Sequence, residues 1–421
     1  MLLLSLAFSS LNNRKLTTAL TVLSIGLSVA LLVGVDNVRT GARESFRGTI
    51  SGTDLIVGAR GGSLQLLLYT VFRMGAATNN IRYETYQHFA QHPAVKWAIP
   101  YSLGDSYRGF RVVGTTADFY EHYRYRRGRR LEFDTGRPAE GIFDVVLGSE
   151  VAQRLGHKTG DKLVITHGIA SSRGILDHTD KPFTVVGVLK RTATPVDRSV
   201  YITLHGMSAI HIDWRDGAPP LPGEEIPASA LDKEKLEIKQ ITSMLLGMKS
   251  RIDVLRLQRE ISTYEGEPLM AIIPGVALDE LWRTIGYAED ALQVVTLFVL
   301  VVGLLGMLVS LYTSLNERRR EMAILRAVGA GPRRIVLLLV FESGLLAAAG
   351  AVLGMILVYS LSLSFQPLIE QRFGLYLPIQ APTLTGWSYL GAVLLAGLAI
   401  GLVPAIKAYR NALNDGLSVR V

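Results

Sequence analysis

The sequence predicts a helical membrane protein with four transmembrane helices plus a large α+β extracytoplasmic domain between helices 1 and 2. Three observations carry that expectation. First, 49% of the 421 residues are hydrophobic and only 19% are charged, too apolar for an ordinary soluble enzyme. Second, four runs are free of charge or nearly so: 16–35, 291–315, 335–365 with Glu342 its one charge, and 387–406. Each can cross a hydrocarbon core of roughly 30 Å at about 1.5 Å per helical residue. Third, the net charge of +8 is unevenly placed. Arg14 and Lys15 precede the first run, and Arg318, Arg319, Arg320, Arg326, Arg333 and Arg334 crowd the segment between the second and third. The tail carries Lys407, Arg410 and Arg420 against Asp415, whereas basic and acidic residues nearly cancel between Asp36 and Asp290. Cytoplasmic flanks retain Lys and Arg, so both termini and the loop 316–334 are expected inside and the large domain outside. The basic balance is thus a topology signal, and no nucleic-acid partner is expected.

The elements follow in order. Residues 1–15 form an amphipathic cytoplasmic entry and 16–38 the first span. That span reads as a retained anchor, because no small-x-small cleavage site interrupts it before Asp36 and Arg39. The outer domain with its stalk occupies 39–277, beginning as a continuation of the first helix through "VDNVRTGARESFRGT" to Gly52. "TDLIVG", "RGFRVVGTT", "DVVLG", "DKLVITHG" and "FTVVGVL" read as strands, and "SEVAQRLG" as a helix stopped by Gly156. Residues 215–230, rich in Pro and Gly, read as a surface loop, and 231–263 as short amphipathic segments of mixed charge. Leu278, Leu281, Ile285, Ala288, Leu292 and Val295 recur at alternating steps of three and four. They form either a heptad seam between stalks or the packing face of one helix against its own domain. Residues 278–315 are stalk and second span, 316–334 a cytoplasmic loop, 335–365 the third span, 366–386 a short outer loop, 387–406 the fourth span and 407–421 a cytoplasmic tail.

Inside the loop, "ERRREMAILRAVG" offers the apolar knob Met322, Ala323, Ile324 and Leu325, ringed by Glu317, Arg320, Glu321 and Arg326, with Gly329 as the helix stop. Composition alone allows a docking helix or a basic loop on anionic headgroups. The segment resembles the coupling helix of MacB-type, FtsX-like ABC transporter permeases, whose pattern E-x-x-R-E-[IM]-x-x-x-[RK]-A-[VI]-G-A is matched by Glu317, Arg320, Glu321, Met322, Arg326, Ala327, Val328, Gly329 and Ala330. "NNRKLTTALTVLSIGLSVALLVGV" resembles that family's entry and first span. "VVGTTADFYEHYRYRRGRRLEF", "DVVLGSEVAQRLGHKTGDKL" and "FTVVGVLKRTATPVDRSVYITL" resemble its periplasmic core, and "LVPAIKAYRNALNDGL" its C-terminal signature. Residues 205–275 match poorly.

The resemblance implies a non-catalytic permease subunit in a bacterial inner membrane, with Glu317, Arg320, Glu321, Met322, Leu325, Arg326, Gly329 and Ala330 coupling it to a partner. That partner is an ATPase on a separate chain, which holds ATP and Mg, since no G-x-x-x-x-G-K-[ST] loop occurs here and no cofactor is expected on this chain. Two permease chains, expected to be identical, would pair among membrane lipids and transmit ATP-driven motion to the outer domain (mechanotransmission) for export or extraction of an envelope substrate. A periplasmic or outer-membrane protein would be the outer partner. Two alternatives stay open: signalling to a cell-wall hydrolase, and a metal-linked envelope transport system.

Gly350 with Gly354, and Gly397 with Gly401, have the four-residue spacing that allows close helix contact, though scattered glycine is common in membrane helices. Glu342 is either a functional intramembrane acid or, the favoured reading, a structural one paired with Arg333 or Arg334. The basic run 123–130, "YRYRRGRR", reads as a solvated turn balanced by Glu121, Glu132 and Asp134 rather than an anion site. His167, His178, His205 and His211, with Asp177, Asp180 and Asp213, are metal-site candidates only if their loops meet. None of the histidines has zinc-helix spacing and H-E-x-x-H is lacking, so no metal is expected. With zero cysteines and no G-x-S-x-G elbow, hydrolase chemistry has no foothold.

Overall fold

A computed structural model describes residues 14–126, 128–168, 178–214, 220, 226–317, 327, 329–373 and 381–414. The chain forms two compact units. One comprises Met1–Gly41, Ile285–Pro367 and Leu377–Val421, and the other Ala42–Thr284 and Leu368–Tyr376.

Helix α1 (Lys15–Thr49) opens the chain, running unbroken past Val35 as the sequence predicts. In the second unit follow β1 (Leu55–Ala59), α2 (Ser63–Leu67), a π-helical turn at Leu68–Phe72, β2 (Ile81–Arg82) and α3 (Tyr83–Ala90). Then come β3 (Val95–Tyr107), β4 (Phe110–Thr115), α4 (Asp118–His122), the hairpin β5 (Arg124–Tyr125) and β6 (Arg129–Arg130), and β7 (Phe133–Gly136). β8 (Asp144–Leu147), α5 (Ser149–Leu155), β9 (Lys162–Leu163), β10 (Phe183–Leu189), β11 (Ser199–Thr203) and α6 (Leu204–Ala209) lead to β12 (Gln240–Ile241), β13 (Ser243–Met248), α7 (Asp253–Ser262) and β14 (Leu269–Ile272). Three long helices close the chain: α8 (Pro274–Glu317), α9 (Pro332–Phe373) and α10 (Leu384–Asn414).

Among the described residues ten strands of the inserted unit join one sheet, ordered β14-β1-β13-β3-β4-β11-β8-β10-β7, with β9 on β10. The long β3 is the spine. Its first half pairs with β13, Val95 to Tyr101 opposite Met248 to Ser243, and its second half pairs with β4. Pairs β4/β11 and β8/β10 are parallel, the rest antiparallel. Between Leu103 and Ser106 the β3/β4 register slips, which is a β-bulge at Gly104 and Asp105.

Aliphatic residues on one half of the sheet meet α3 and α7, through Val57, Phe89, Leu246, Leu257 and Ile261. Those on the other half, Val112, Val145, Val185 and Ile202, meet α5 and α6 through Val151, Met207 and Ile210. An aromatic core lies around α4, where Phe119 stacks on Tyr201 at 4.7 Å and touches Tyr101, Tyr120 and Tyr123. Gly156 stops α5 with φ 73°, as the sequence predicts.

One expectation needs correction and another is met in part. "DKLVITHG" does not continue as a strand: only Lys162 and Leu163 pair with β10, after which Thr166 bridges instead to Ser106 of β3. The predicted heptad face divides. Leu278 is buried and Leu281 packs with it in the inserted unit's own core, alongside Phe46 and Trp282. Ile285, Leu292 and Val295 remain 38%, 53% and 55% exposed in the membrane-type unit. Most of loop 215–230 lies outside the described residues.

In the membrane-type unit, α1, α8, α9 and α10 are each long and apolar enough to span a bilayer. Their mutual core is Ile25, Val29, Val33, Leu304, Met307, Leu346, Ala351 and Val393. Helix α8 leaves Val294, Leu297, Phe298, Val302 and Val309 exposed, which in a bilayer is the surface offered to lipid or to a partner helix.

Candidate functional site

The β3 bulge turns Asp105 toward the segment that crosses it. Ser106 and Thr166 exchange both backbone hydrogen bonds, at 3.0 and 2.9 Å, and Ser106 Oγ donates to the Gly168 carbonyl at 2.7 Å. This places His167 beside Asp105: Nδ1 lies 3.3 Å from Oδ1 of the carboxylate, which also accepts from the Gly168 N–H at 3.2 Å. His178 is anchored by its backbone N–H to the Ile165 carbonyl at 3.0 Å. His211 sits two residues past α6, its Nδ1 donating to the Met207 carbonyl at 3.0 Å. Its Nε2 is 3.0 Å from His167 Nδ1 and 3.5 Å from Asp105 Oδ2. The four residues each bring one ligand-competent atom within 4.8 Å of the others. Trp214 closes one side, 4.4 Å from the His167 ring and 4.9 Å from that of His178.

The electrostatics divide the cluster by depth. Burial alone would raise the Asp105 carboxyl, but hydrogen bonds from His167 and His211 and the imidazole charges hold it well below the ordinary carboxylate range. Burial pushes His178 down to about 4, outweighing the attraction of Asp105, so it is neutral at physiological pH. For His211 burial opposes charge, yet bonding to Asp105 prevails and raises it. Asp105 and His178 are buried, whereas the side chains of His167 and His211 are 39% and 30% exposed and form the open rim.

Of the histidines singled out in sequence, His167, His178 and His211 therefore meet and His205 does not. His205 lies within α6, its ring lowered by burial and then by Lys233. Asp180 and Asp213 are also diverted: both bind the buried ammonium of Lys181, at 2.6 and 2.7 Å. Asp177 lies outside the described residues. The missing ligand candidate, Asp105, was marked in sequence as the one carboxylate in the apolar and hydroxylic second half of its strand. A charge in a core strand requires partners.

The run 123–130 is the β5/β6 hairpin, with Arg127 outside the described residues. Its backbone is tied to the end of α1, through Arg126 N–H to the Gly48 carbonyl and the Ser51/Arg124 bridge.

In the membrane-type unit Glu342 is buried and Arg333 and Arg334 are exposed. A Cβ on Gly350 would stand 2.5 Å from Ile25, and one on Gly354 2.7 Å from Val29 and from the Gly26 carbonyl, so these glycines face α1. Gly397 faces Ala347 and Gly401 faces Ser343, bringing α10 against α9. Of the loop residues, Arg320, Glu321, Met322, Leu325 and Arg326 lie outside the described residues, and Glu317 ends α8. Gly329 has φ 92°, a left-handed conformation that suits glycine, and Ala330 follows it.

Four apolar helices with a mixed domain inserted between the first and second define a multi-pass membrane protein. Residues 18–245 match the MacB-like periplasmic core domain and 294–413 the FtsX-like permease C-terminal domain. The chain belongs to the MacB-like, FtsX-like family of ABC transporter permeases. It is similar to the macrolide export ATP-binding/permease protein MacB of Wolinella succinogenes, with 22% identity over 97% of this chain and 59% of that protein. The chain thus spans about three fifths of the length of the MacB relatives it matches. The uncharacterized ABC transporter permease YvrN of Bacillus subtilis is 21% identical over 98% of both chains. The periplasmic region of MacB from Actinobacillus actinomycetemcomitans superposes with a TM-score of 0.34 at 13% identity, covering 57% of this chain and 95% of that one.

Proposed function

We propose that this chain is the non-catalytic permease subunit of an ABC system in a bacterial inner membrane. In this reading the termini and residues 316–334 face the cytoplasm, and the inserted domain lies outside. A partner ATPase, carrying ATP and Mg, docks on the loop through Glu317, Arg320, Glu321, Met322, Leu325, Arg326, Gly329 and Ala330. A second copy of the chain completes the permease, and hydrolysis moves the inserted domains to export or extract an envelope substrate.

The observation that carries this reading is the joint match of a MacB-like periplasmic core domain and an FtsX-like permease domain. The ABC transporter permease YvrN is similar over 98% of both chains. The buried setting of Glu342 supports its structural role, since a buried carboxylate in a helix bundle is held by its neighbours rather than by lipid or water. Helix contacts at Gly350, Gly354, Gly397 and Gly401 supply the rigidity that transmission of a push requires.

The test is a mild-detergent purification of the tagged full chain, with assay of the eluate for ATP turnover. An ATP-binding subunit should accompany the chain. Glu321→Lys or Leu325→Asp should remove it, and with it the permease-stimulated turnover, while membrane insertion stays intact. Undiminished stimulated turnover in both variants would refute the coupling assignment. A cell-wall hydrolase recovered in its place as the stable outer partner would shift the reading to signalling.

A further inference from the structure

The Asp105 cluster has no part in the reading above and stands independently of ATPase coupling. His167 Nδ1 lies 3.0 Å from His211 Nε2 and 3.3 Å from Asp105 Oδ1, and His211 Nε2 lies 3.5 Å from the other carboxylate oxygen, Oδ2. Ligands placed tetrahedrally about zinc at its usual 2.0–2.1 Å are separated by about 3.4 Å. The protein has therefore drawn two imidazoles and a carboxylate to the edges of a metal-sized tetrahedron. The fourth corner belongs to His178. It is 2% exposed, and its Nε2 has no hydrogen-bond partner among the described residues. Asp105 Oδ2, also buried, has only the long 3.5 Å contact with His211 Nε2. Buried polar atoms in such number are normally satisfied, so two in one cluster of ligand-type groups point to a ligand.

We infer that Asp105, His167, His178 and His211 bind one divalent transition-metal cation of the zinc class. Three imidazoles and one carboxylate suit zinc's borderline character and its four-coordinate preference. A supporting shell is already built. Met207 carbonyl receives the other ring N–H of His211, which fixes the tautomer and leaves Nε2 free to coordinate. Gly168 N–H holds Asp105 Oδ1. The exposed rims of His167 and His211 provide the route in. Bound there, the ion ties four points of the domain together: the β3 bulge, the strand-crossing segment at 167, residue 178, and the turn after α6.

The test uses the full chain in detergent, stripped with a chelator and titrated separately with Zn2+ and Co2+. One equivalent of Zn2+ should bind and change the fluorescence of Trp214, whose ring lies against two of the ligands. Co2+ should show the visible d–d bands of a tetrahedral site. His167→Gln and His211→Gln, both at the open rim, should weaken binding at least about tenfold. His205→Gln should leave it unchanged, and Trp214→Phe should bind while losing the optical signal. Asp105→Asn or His178→Gln could disturb folding, so the conclusion rests on the rim variants, with circular dichroism confirming their fold. Folded wild-type protein that takes up no stoichiometric metal would overturn the assignment. So would rim variants that bind as tightly as wild type.

Discussion

Lys181 offers a demanding test of how the inserted domain is held together. Its side chain is 1% exposed and its ammonium lies 2.7 Å from Asp213 Oδ2 and 2.6 Å from Asp180 Oδ2. Asp213 is 2% exposed, accepts one further bond from the Ile226 N–H at 3.2 Å, and has its Oδ1 unpaired among the described residues. Lys181→Met keeps the apolar stem's bulk but leaves the Asp213 carboxylate, its side chain 2% exposed, without its ammonium partner. Removing one partner of such a buried pair costs about 3–5 kcal/mol. For a unit of this size each kcal/mol lowers the melting temperature by about 2–4 °C, so the transition should fall by roughly 10 °C. Near-ultraviolet circular dichroism of the full chain in detergent would follow it. The companion Lys181→Met/Asp213→Leu should recover most of the loss, because replacing both charges by apolar groups leaves nothing stranded. A drop of less than about 1 kcal/mol, or a double variant no better than the single one, would show that the pair is hydrated and the reasoning wrong.

Further outcomes follow from the same packing logic. Phe119→Ala empties a fully buried ring that touches four tyrosines, and should cost about 3–5 kcal/mol by the same dichroic readout. Gly354→Leu drives a side chain into Val29 and the Gly26 carbonyl and should destabilise the four-helix unit by about 1–3 kcal/mol. Gly391→Ala, with open space around its Cα, should be neutral or slightly stabilising, and thermal aggregation of the detergent-solubilised protein separates the two. Asp144 accepts from Gly141 and Glu140 N–H groups and pairs with Arg137 at 2.8 Å, and these outweigh burial to lower its carboxyl. Its contribution is therefore complete above the unfolded value of about 3.9 and lost as pH falls through the lower folded value. The stability gap between wild type and Asp144→Asn should be full at neutral pH and close only in strong acid.

The membrane helices were legible because a bilayer imposes length and apolarity on every residue of a span, and runs such as 335–365 carry that signature without help from tertiary structure. Strands buried in the sheet, such as β8 and β10, were legible for a similar reason: short apolar runs, bounded by Asp144 and Gly148 in β8 and by Pro182 and Lys190 in β10. The segment after Leu163 was not. "VITHG" has strand propensity, but its partner is decided by a bulge some sixty positions earlier, and propensity carries no information about which edge a strand will find. The heptad face could not be apportioned between its two readings from sequence for the same reason. Its period is real, yet Leu278 and Leu281 serve a soluble core while Leu292 and Val295 stand in a membrane-type helix, and one hydrophobic period fits both solvents.

For the histidine cluster the sequence offered the right residue type and the wrong company. His167, His178 and His211 stand at intervals that no helical or strand periodicity joins, and His205 and Asp213 are as near in sequence as the true members. What selects among them is the balance of charge. Asp213 is claimed, together with Asp180, by the buried ammonium of Lys181, and this removes the most obvious carboxylates from the histidines. Asp105, the one acidic residue of its strand, then has only imidazoles to face. A buried carboxylate with no lysine or arginine in its contacts must find its positive charge elsewhere, either as protons shared among the rings or as a cation held between them. The second solution also satisfies the buried nitrogen of His178, which the first leaves without a partner.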